Sequence, residues 1–450
     1  MSKENNISKE PKDNMSKKYS AKQKIKNPSK QQNQEITKNK ELDELNAKKC
    51  NQINNNYIDS IKKEFYQPPL TGLINVGATF YMNAVLQCFS HIEGLVNFFK
   101  YNKYVDDVIE RYKGRNCLTK SFKILIENLW PTYGNKYINK NLFSKNIYNS
   151  YFIPKEFKET ISKMNPLFEG VQANDAKDLV NFIVMTLHKE LNKVGRLNFN
   201  DISDNGIDQS NQDLVFKNFA TKFIKENRSI ISDLFYEFSH NVTRCSKCLI
   251  DKHNFEAYFF LIFPLEEVRK YKLQLILNQN NLNMNQMSQQ NLKKIKLLQN
   301  NQVDIFDCFE YNQKPVFFIG ENAMYCNTCK ESFPTTYTTY LYIAPQILLI
   351  ILNRGIGIQY KVKLEFNTEL NLSNFIQARP NNENIIYDLI GVVTHIGESG
   401  PSGHFIATCK SPIDNLWYQY NDDLVFKIDN FTNQILNYAM PYILFYQKKS

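Results

Sequence analysis

An α+β fold is predicted for this 450-residue chain, and three observations predict it. Apolar residues recur at helical spacing from about Pro68 to Gly195. Beyond about Ile230 the texture turns to short runs rich in Tyr, Phe, Ile, Val and Thr, which suit strands. The two kinds of element are segregated along the chain rather than alternating, which separates α+β from α/β.

The chain opens on a polar tail. Residues 1–50 hold thirteen lysines against seven acidic residues, so more than half of the chain's net +10 lies there. With almost nothing to bury, residues 1–64 are expected to be disordered. Such a tail can give weak nucleic-acid contact or simply be a solvated basic segment. The start, MSKENN, has no apolar signal-peptide core, which gives the expectation of a reducing cytoplasmic or nuclear setting with cysteines as thiols or metal ligands. No stretch of about 18 uninterrupted apolar residues occurs, so no membrane contact is expected.

The first ordered stretch is GLINVGATFYMNAVLQCF, Gly72 to Phe89. It reads as a glycine-bearing loop entering a helix whose Met82, Val85, Leu86 and Phe89 turn one face to a core. A second helix begins near Asn174 in ANDAKDLVNFIVMTLHKEL, with Ala176, Leu179, Val180, Ile183 and Leu187 inward. Asp175 and Asp178 are then neighbours on another face. Polar stretches near Asn198 to Asp213 and at about 277–303 (NQNNLNMNQMSQQNLKKIKLLQNNQ) read as low-complexity loop insertions. The later runs FEAYFFLIFPL, TTYTTYLYIAP, ILLIILNR, YDLIGVVTHI, HFIATCK, LWYQYNDDLVFKI and YAMPYILFYQ read as strands.

Two CxxC pairs, Cys245/Cys248 and Cys326/Cys329, sit in predicted hairpin turns. Two such knuckles supply four thiolates for a tetrahedral structural Zn²⁺. Cys50, Cys117, Cys308 and Cys409 are isolated and carry no assigned chemistry.

A cysteine hydrolase needs a thiol at a helix N-terminus, an imidazole and a third group that orients it. His404, in GESGPSGHFIA, and Asn421 with Asp422, in YNDD, supply the last two. Asn suffices as the orienter because a thiolate already balances the imidazolium.

Taken with its neighbours, the Gly72–Phe89 stretch resembles the Cys box of the ubiquitin-specific proteases, G-L-x-N-x-G-[NA]-T-C-Y-M-N-S-x-L-Q. ANDAKDLVNF is similar to their Q-x-D-A-x-E-F box, YDLIGVVTHIGESGPSGHFIATCK with WYQYNDDLV to their His box, and AMPYILFYQ to their closing strand. The resemblance runs in order from about Pro68 to Gln447. It implies a papain-like hand that grips ubiquitin: a helical thumb at about 68–195, and β-rich fingers and palm at about 215–447 with the zinc ribbon in the fingers. It implies His404 as the catalytic histidine, Asn421 with Asp422 beside it as the third triad position, Asn75 as the oxyanion-hole asparagine, and Asp175 and Asp178 as holders of the arginine-bearing ubiquitin tail. Cys245, Cys248, Cys326 and Cys329 match the zinc ligands. Ala173 stands where the family has Gln, Asp178 and Leu179 replace Glu-Phe, and LNRG at Leu352–Gly355 stands for Leu-Lys-Arg-Phe.

Phe80 matches the nucleophilic cysteine. A phenyl ring has no lone pair to attack a carbonyl, and losing the nucleophile of a hydrolase triad costs roughly a million-fold in turnover. Cys88 lies eight helical residues on, about 12 Å away, too far to substitute. Thr79 is adjacent but points elsewhere. Three readings follow: an inactive homologue that binds ubiquitin or a partner, a working cysteine-type deubiquitinase in which Phe80 is a sequence artefact or variant, and a basic zinc-ribbon scaffold for an RNA or chromatin assembly.

Overall fold

The structure is a computed structural model of the chain and describes residues 69–130, 147–148, 150–194, 208–279, 287–379, 383–399, 402–436 and 440–449. The expected tail at 1–64 and Cys50 lie outside the described residues, as do residues 198–207 and 280–286 of the two polar stretches.

Helices dominate the first half and strands the second, as an α+β fold requires. Helix Phe80–Ser90 is the centre of the helical lobe. The apolar spacing predicts one buried face, yet every residue from Tyr81 to Ser90 is buried. The reason is its position: it packs against helix Ala176–Leu191 on one side and strand Ser402–Lys410 on the other. Its polar members, Asn83 and Gln87, are kept by hydrogen bonds to the carbonyls of Leu73 (3.0 Å) and Thr71 (2.9 Å), which tie the incoming strand to the helix. Cys88 fits a niche made by Gly391, where an added Cβ would come within 3.2 Å of its sulfur. The Ala176–Leu191 helix buries Ala176, Leu179, Val180, Ile183 and Leu187, the face its spacing predicts.

A nine-stranded sheet forms the palm. Its order runs Ile147–Tyr148, Leu424–Ile428, Trp417–Asn421, Ser402–Lys410, Ile386–Ser399, Pro441–Lys448, Ile347–Asn353, Leu261–Pro264, with Glu369–Asn371 also paired to Ile386–Ser399. All of these pairings are antiparallel except the parallel one between Ile347–Asn353 and Leu261–Pro264. Strand Ile347–Asn353 explains its own unbroken apolar run. Ile347, Leu349 and Ile351 face the core shared with the helical lobe, while Leu348, Ile350 and Leu352 face a second core. A strand covered on both faces needs no polar alternation.

The second core corrects one expectation. The stretch at about 277–303 is not a simple loop insertion: helix Leu265–Gln279 runs into it, helix Gln289–Gln299 lies within it, and strand Gln302–Asp304 starts at its end. Leu292, Ile295 and Leu298 fall every third residue and form an apolar stripe among the Asn, Gln and Lys; Ile295 and Leu298 are buried. The expectation of strands beyond Ile230 is likewise interrupted by helices Ile230–Phe235 and Ile305–Asn312. Ser288 and Asp304 cap two of these helices by accepting backbone N–H bonds.

The fingers are a four-stranded antiparallel sheet in the order Asp251–Tyr258, Glu237–Cys245, Thr335–Ile343, Val316–Phe318. Helix Gln212–Glu226 lays Phe216, Phe219 and Phe223 on Phe238 and Phe255 of this sheet. Among the described residues no helix is long and apolar enough to cross a membrane.

Candidate active site and cysteine cluster

The site lies where the Phe80–Ser90 helix begins beneath the palm sheet. Asn75, in the loop before it, folds its side chain back on its own backbone: Oδ1 accepts from the N–H of Gly77 (3.2 Å) and Thr79 (2.9 Å) and from the Thr79 hydroxyl (3.2 Å). Gly77 (φ 114°) and Ala78 (φ 45°) lie in the left-handed region, so the chain turns sharply here. Thr79 also accepts from the N–H of Val76 (2.9 Å) and is fully buried, so its hydroxyl is committed to the loop.

His404 is delivered by strand Ser402–Lys410, next to Gly403. A Cβ at 403 would fall within 2.4–2.6 Å of the Ile396 carbonyl and the His395 ring, so glycine is required for this close approach. His404 Nε2 lies 2.7 Å from Asn421 Oδ1. An amide oxygen only accepts, so Nε2 carries the proton and Nδ1 keeps the free lone pair. Asp422 Oδ2 is 4.0 Å from the same nitrogen. Asn421 and Asp422 stand at the two-residue turn between strands Trp417–Asn421 and Leu424–Ile428, and Asp422 takes φ 51° there.

Phe80 opens the helix on this side. Its half-buried ring lies 5.0 Å from the His404 ring, centroid to centroid, and 6.3 Å from Phe405. Cys88 is buried on the same helix with its sulfur 3.7 Å from that of Cys409, between helix and sheet. The structure thus brings Asn75, Phe80, His404, Asn421 and Asp422 together and keeps Cys88 in the core.

Asp175 caps the Ala176–Leu191 helix, accepting from the N–H of Lys177 (2.9 Å) and pairing with its Nζ (3.0 Å). Tyr442, on the closing strand, donates to the Asp175 carboxylate, with both oxygens at 2.9 Å. Asn174 donates to the Tyr81 hydroxyl at 3.2 Å, linking this acidic corner to the Phe80 helix. Burial, with Asp175 nearby, raises the pKa of Asp178.

Three functional neighbours were not anticipated from sequence. Asn83 donates to both Asp422 (2.7 Å) and Leu73; its signals in the sequence are its match to the Cys-box pattern and its polarity in a largely apolar helix, neither of which names its partner. Arg354 is buried and donates to the carbonyls of Pro441 (2.7 Å), Tyr360 (3.3 Å) and Val362 (2.6 Å); burial lowers its pKa to about 10. His395, also buried, bonds through Nδ1 to the Tyr360 hydroxyl.

At the far end of the fingers, Cys245, Cys248, Cys326 and Cys329 place their sulfurs within 4.8 Å of one another. Each knuckle ends in a residue at positive φ, Leu249 (58°) and Lys330 (61°), whose N–H bonds back to the carbonyl of the knuckle's first cysteine. Zn–S bonds of about 2.3 Å in a tetrahedron need sulfurs about 3.8 Å apart. The Cys248–Cys326 separation is 3.8 Å, and four thiols form a donor set that zinc favours.

An imidazole oriented by an amide over the N-terminus of a buried helix is the frame of a cysteine-type acyl-transfer hydrolase. The chain belongs to the ubiquitin carboxyl-terminal hydrolase family, whose sequence profile, described as "Ubiquitin carboxyl-terminal hydrolase", matches residues 71–446. It is 24% identical over 385 residues to ubiquitin carboxyl-terminal hydrolase Usp2 of Drosophila melanogaster, covering 84% of this chain and 35% of that protein. Against ubiquitin carboxyl-terminal hydrolase 2 of Homo sapiens it is 24% identical over 387 residues, covering 85% and 55%. The chain therefore spans about a third to a half of the length of these relatives. In fold it is similar to the SAGA Ubp8/Sgf11/Sus1/Sgf73 DUB module bound to ubiquitin aldehyde, with TM-score 0.57, 19% identity, and coverage of 86% of this chain and 70% of that one. The same module bound to monoubiquitin gives TM-score 0.53 at 18% identity, covering 88% and 74%.

Proposed function

We propose that this chain is a ubiquitin-specific protease homologue that grips ubiquitin, or a ubiquitin-bearing partner, without hydrolysing it. The observation that carries the reading is the Phe80 ring facing His404 at 5.0 Å, where an active member would present a thiolate. Among the described residues the helix start presents His404 with the Phe80 ring, which has no acidic proton to give up. Asn75, Asn421 and Asp422 keep the frame, and Asp175 and Asp178 offer carboxylates to an arginine-bearing tail. Ubiquitin binding by this chain rests on family membership and on solved relatives described as bound to ubiquitin aldehyde and to monoubiquitin.

The four clustered cysteines are proposed to hold a structural Zn²⁺. The ion supplies a four-way crosslink between the two knuckles and takes no part in bond cleavage.

A second reading, an active cysteine-type deubiquitinase in which Phe80 is a sequence artefact or variant, is favoured by one observation: the His404–Asn421 bond is kept at 2.7 Å. One experiment separates the two. The purified chain is incubated with ubiquitin carrying a C-terminal electrophile, and ubiquitin affinity is then measured by titration. No covalent adduct together with saturable binding is expected. Covalent capture supports the second reading, and no detectable binding overturns the first.

A further inference from the structure

Two oxygens compete for one proton on His404. Asn421 Oδ1 is at 2.7 Å from Nε2, and the Asp422 carboxyl Oδ2 is at 4.0 Å. On electrostatic grounds a carboxylate is the stronger acceptor, since a charge-assisted hydrogen bond is roughly twice as strong as a neutral one. The neutral amide nevertheless holds the bond, and the reason lies on the Phe80–Ser90 helix.

Asp422 is restrained at three points. Its carbonyl accepts from the N–H of Leu73 at 2.8 Å. Its Oδ1 accepts from Asn83 Nδ2 at 2.7 Å, and its Oδ2 from Asn75 Nδ2 at 3.2 Å. Asn83 is the firm anchor of the two side chains: it is buried, lies on a helix packed on both sides, and donates its other N–H to the Leu73 carbonyl at 3.0 Å. Both amide protons of Asn83 are thus used, one on each side of the gap between the incoming strand and the Asp422–Asp423 turn.

We infer that Asn83 is a positioning residue that withholds the Asp422 carboxylate from His404, so that neutral Asn421 is the histidine's partner. By holding Asp422 it also fixes the carboxylate to which Asn75 donates, and so sets where that amide points. The inference deepens the proposed function, since it says how the retained frame of the same site is kept in register.

The test is NMR of ¹⁵N-labelled histidine in the full chain with Phe80 in place, following the His404 Nε2–H proton. In Asn83→Leu, of the same branched shape but larger and without the amide protons, this proton is expected to move downfield as the freed carboxylate takes the bond. Asn83→Leu/Asp422→Asn is expected to bring it back towards its parent position, a rescue that a merely structural role would not give. Asp422→Asn alone is expected to leave the resonance in place, while Asn421→Ala moves it. Should Asn83→Leu not fold, Asn83→Ser is read in the same series.

An unchanged resonance in the Asn83 variants overturns the inference. So does a shift in Asp422→Asn alone as large as that in Asn421→Ala. In the Phe80→Cys background, Asn83→Leu is expected to lower kcat about 10-fold to 100-fold with KM moved far less, the signature of misplaced reacting groups. If Phe80→Cys is itself inert, the functional reading is weakened while the NMR series still decides the role of Asn83.

Discussion

The rings of Phe80 and His404 face each other with centroids 5.0 Å apart and planes tilted by 54°. A thiol in place of that phenyl would stand at a helix N-terminus beside a free imidazole nitrogen, where thiolate is favoured. Phe80→Cys is expected to create turnover on a fluorogenic ubiquitin C-terminal amide, at least about a thousand-fold above the parent. Adding His404→Ala should abolish the gain. An inert revertant would place the loss deeper than one side chain.

Phe80→Ala separates bulk from chemistry. It removes the ring without supplying a nucleophile, so no hydrolysis is expected. If the ring obstructs the tail, titration should show tighter ubiquitin binding than in the parent; unchanged affinity would mean that the ring stands aside.

The four thiols in the fingers predict a metal that can be weighed and removed. Native mass spectrometry is expected to give one zinc per chain. A structural zinc site contributes on the order of 10 kcal/mol, so chelation, or Cys248→Ser, should lower the melting temperature and expose the fingers to protease. The helical lobe shares its core with the palm sheet rather than with the fingers and should resist longer.

Much of this was legible because it is written in short-range spacing. Ala176, Leu179, Val180, Ile183 and Leu187 fix a helix face by themselves, and each CxxC pair announces a knuckle. What spacing does not carry is the partner at long range. Asn83 becomes intelligible only when Asp422, 339 positions on, is brought beside it. Phe80–Ser90 reads as one-faced because sequence cannot show a second layer, and the Asn- and Gln-rich stretch conceals Ile295 and Leu298, whose stripe matters only against a second core.

Arg354 is a further case of a role set by tertiary contacts. Its buried guanidinium gathers the carbonyls of Pro441, Tyr360 and Val362, fixing the start of the closing strand next to Tyr442 and hence Asp175. Arg354→Met would leave these acceptors short of donors, at a cost of about 2–5 kcal/mol. Arg354→Lys should recover only part of this, since one ammonium cannot reproduce the planar fork. Chemical denaturation of the three proteins checks both statements, and Arg354→Lys as stable as the parent would refute the second.

Glu237, at the root of the fingers, gives a pH dependence with a definite sign. Its carboxyl is fully buried, and burial raises its pKa from 4.5 to about 8, a rise that the nearby Ser239 side chain offsets only in part. A carboxyl whose pKa is higher in the folded than in the unfolded chain holds its proton more tightly when folded. Its stabilising contribution is complete below about pH 4.5 and is lost progressively as pH rises towards about 8. Glu237→Gln, a neutral side chain of the same shape, should be insensitive to this loss. It is expected to match the parent near pH 5 and to exceed it by a few kcal/mol at pH 8 and above, in denaturant titrations run at both values. A constant difference between variant and parent across that range would mean that Glu237 is ionised at a depth where the fold leaves it no counter-charge, and the argument from burial would fail.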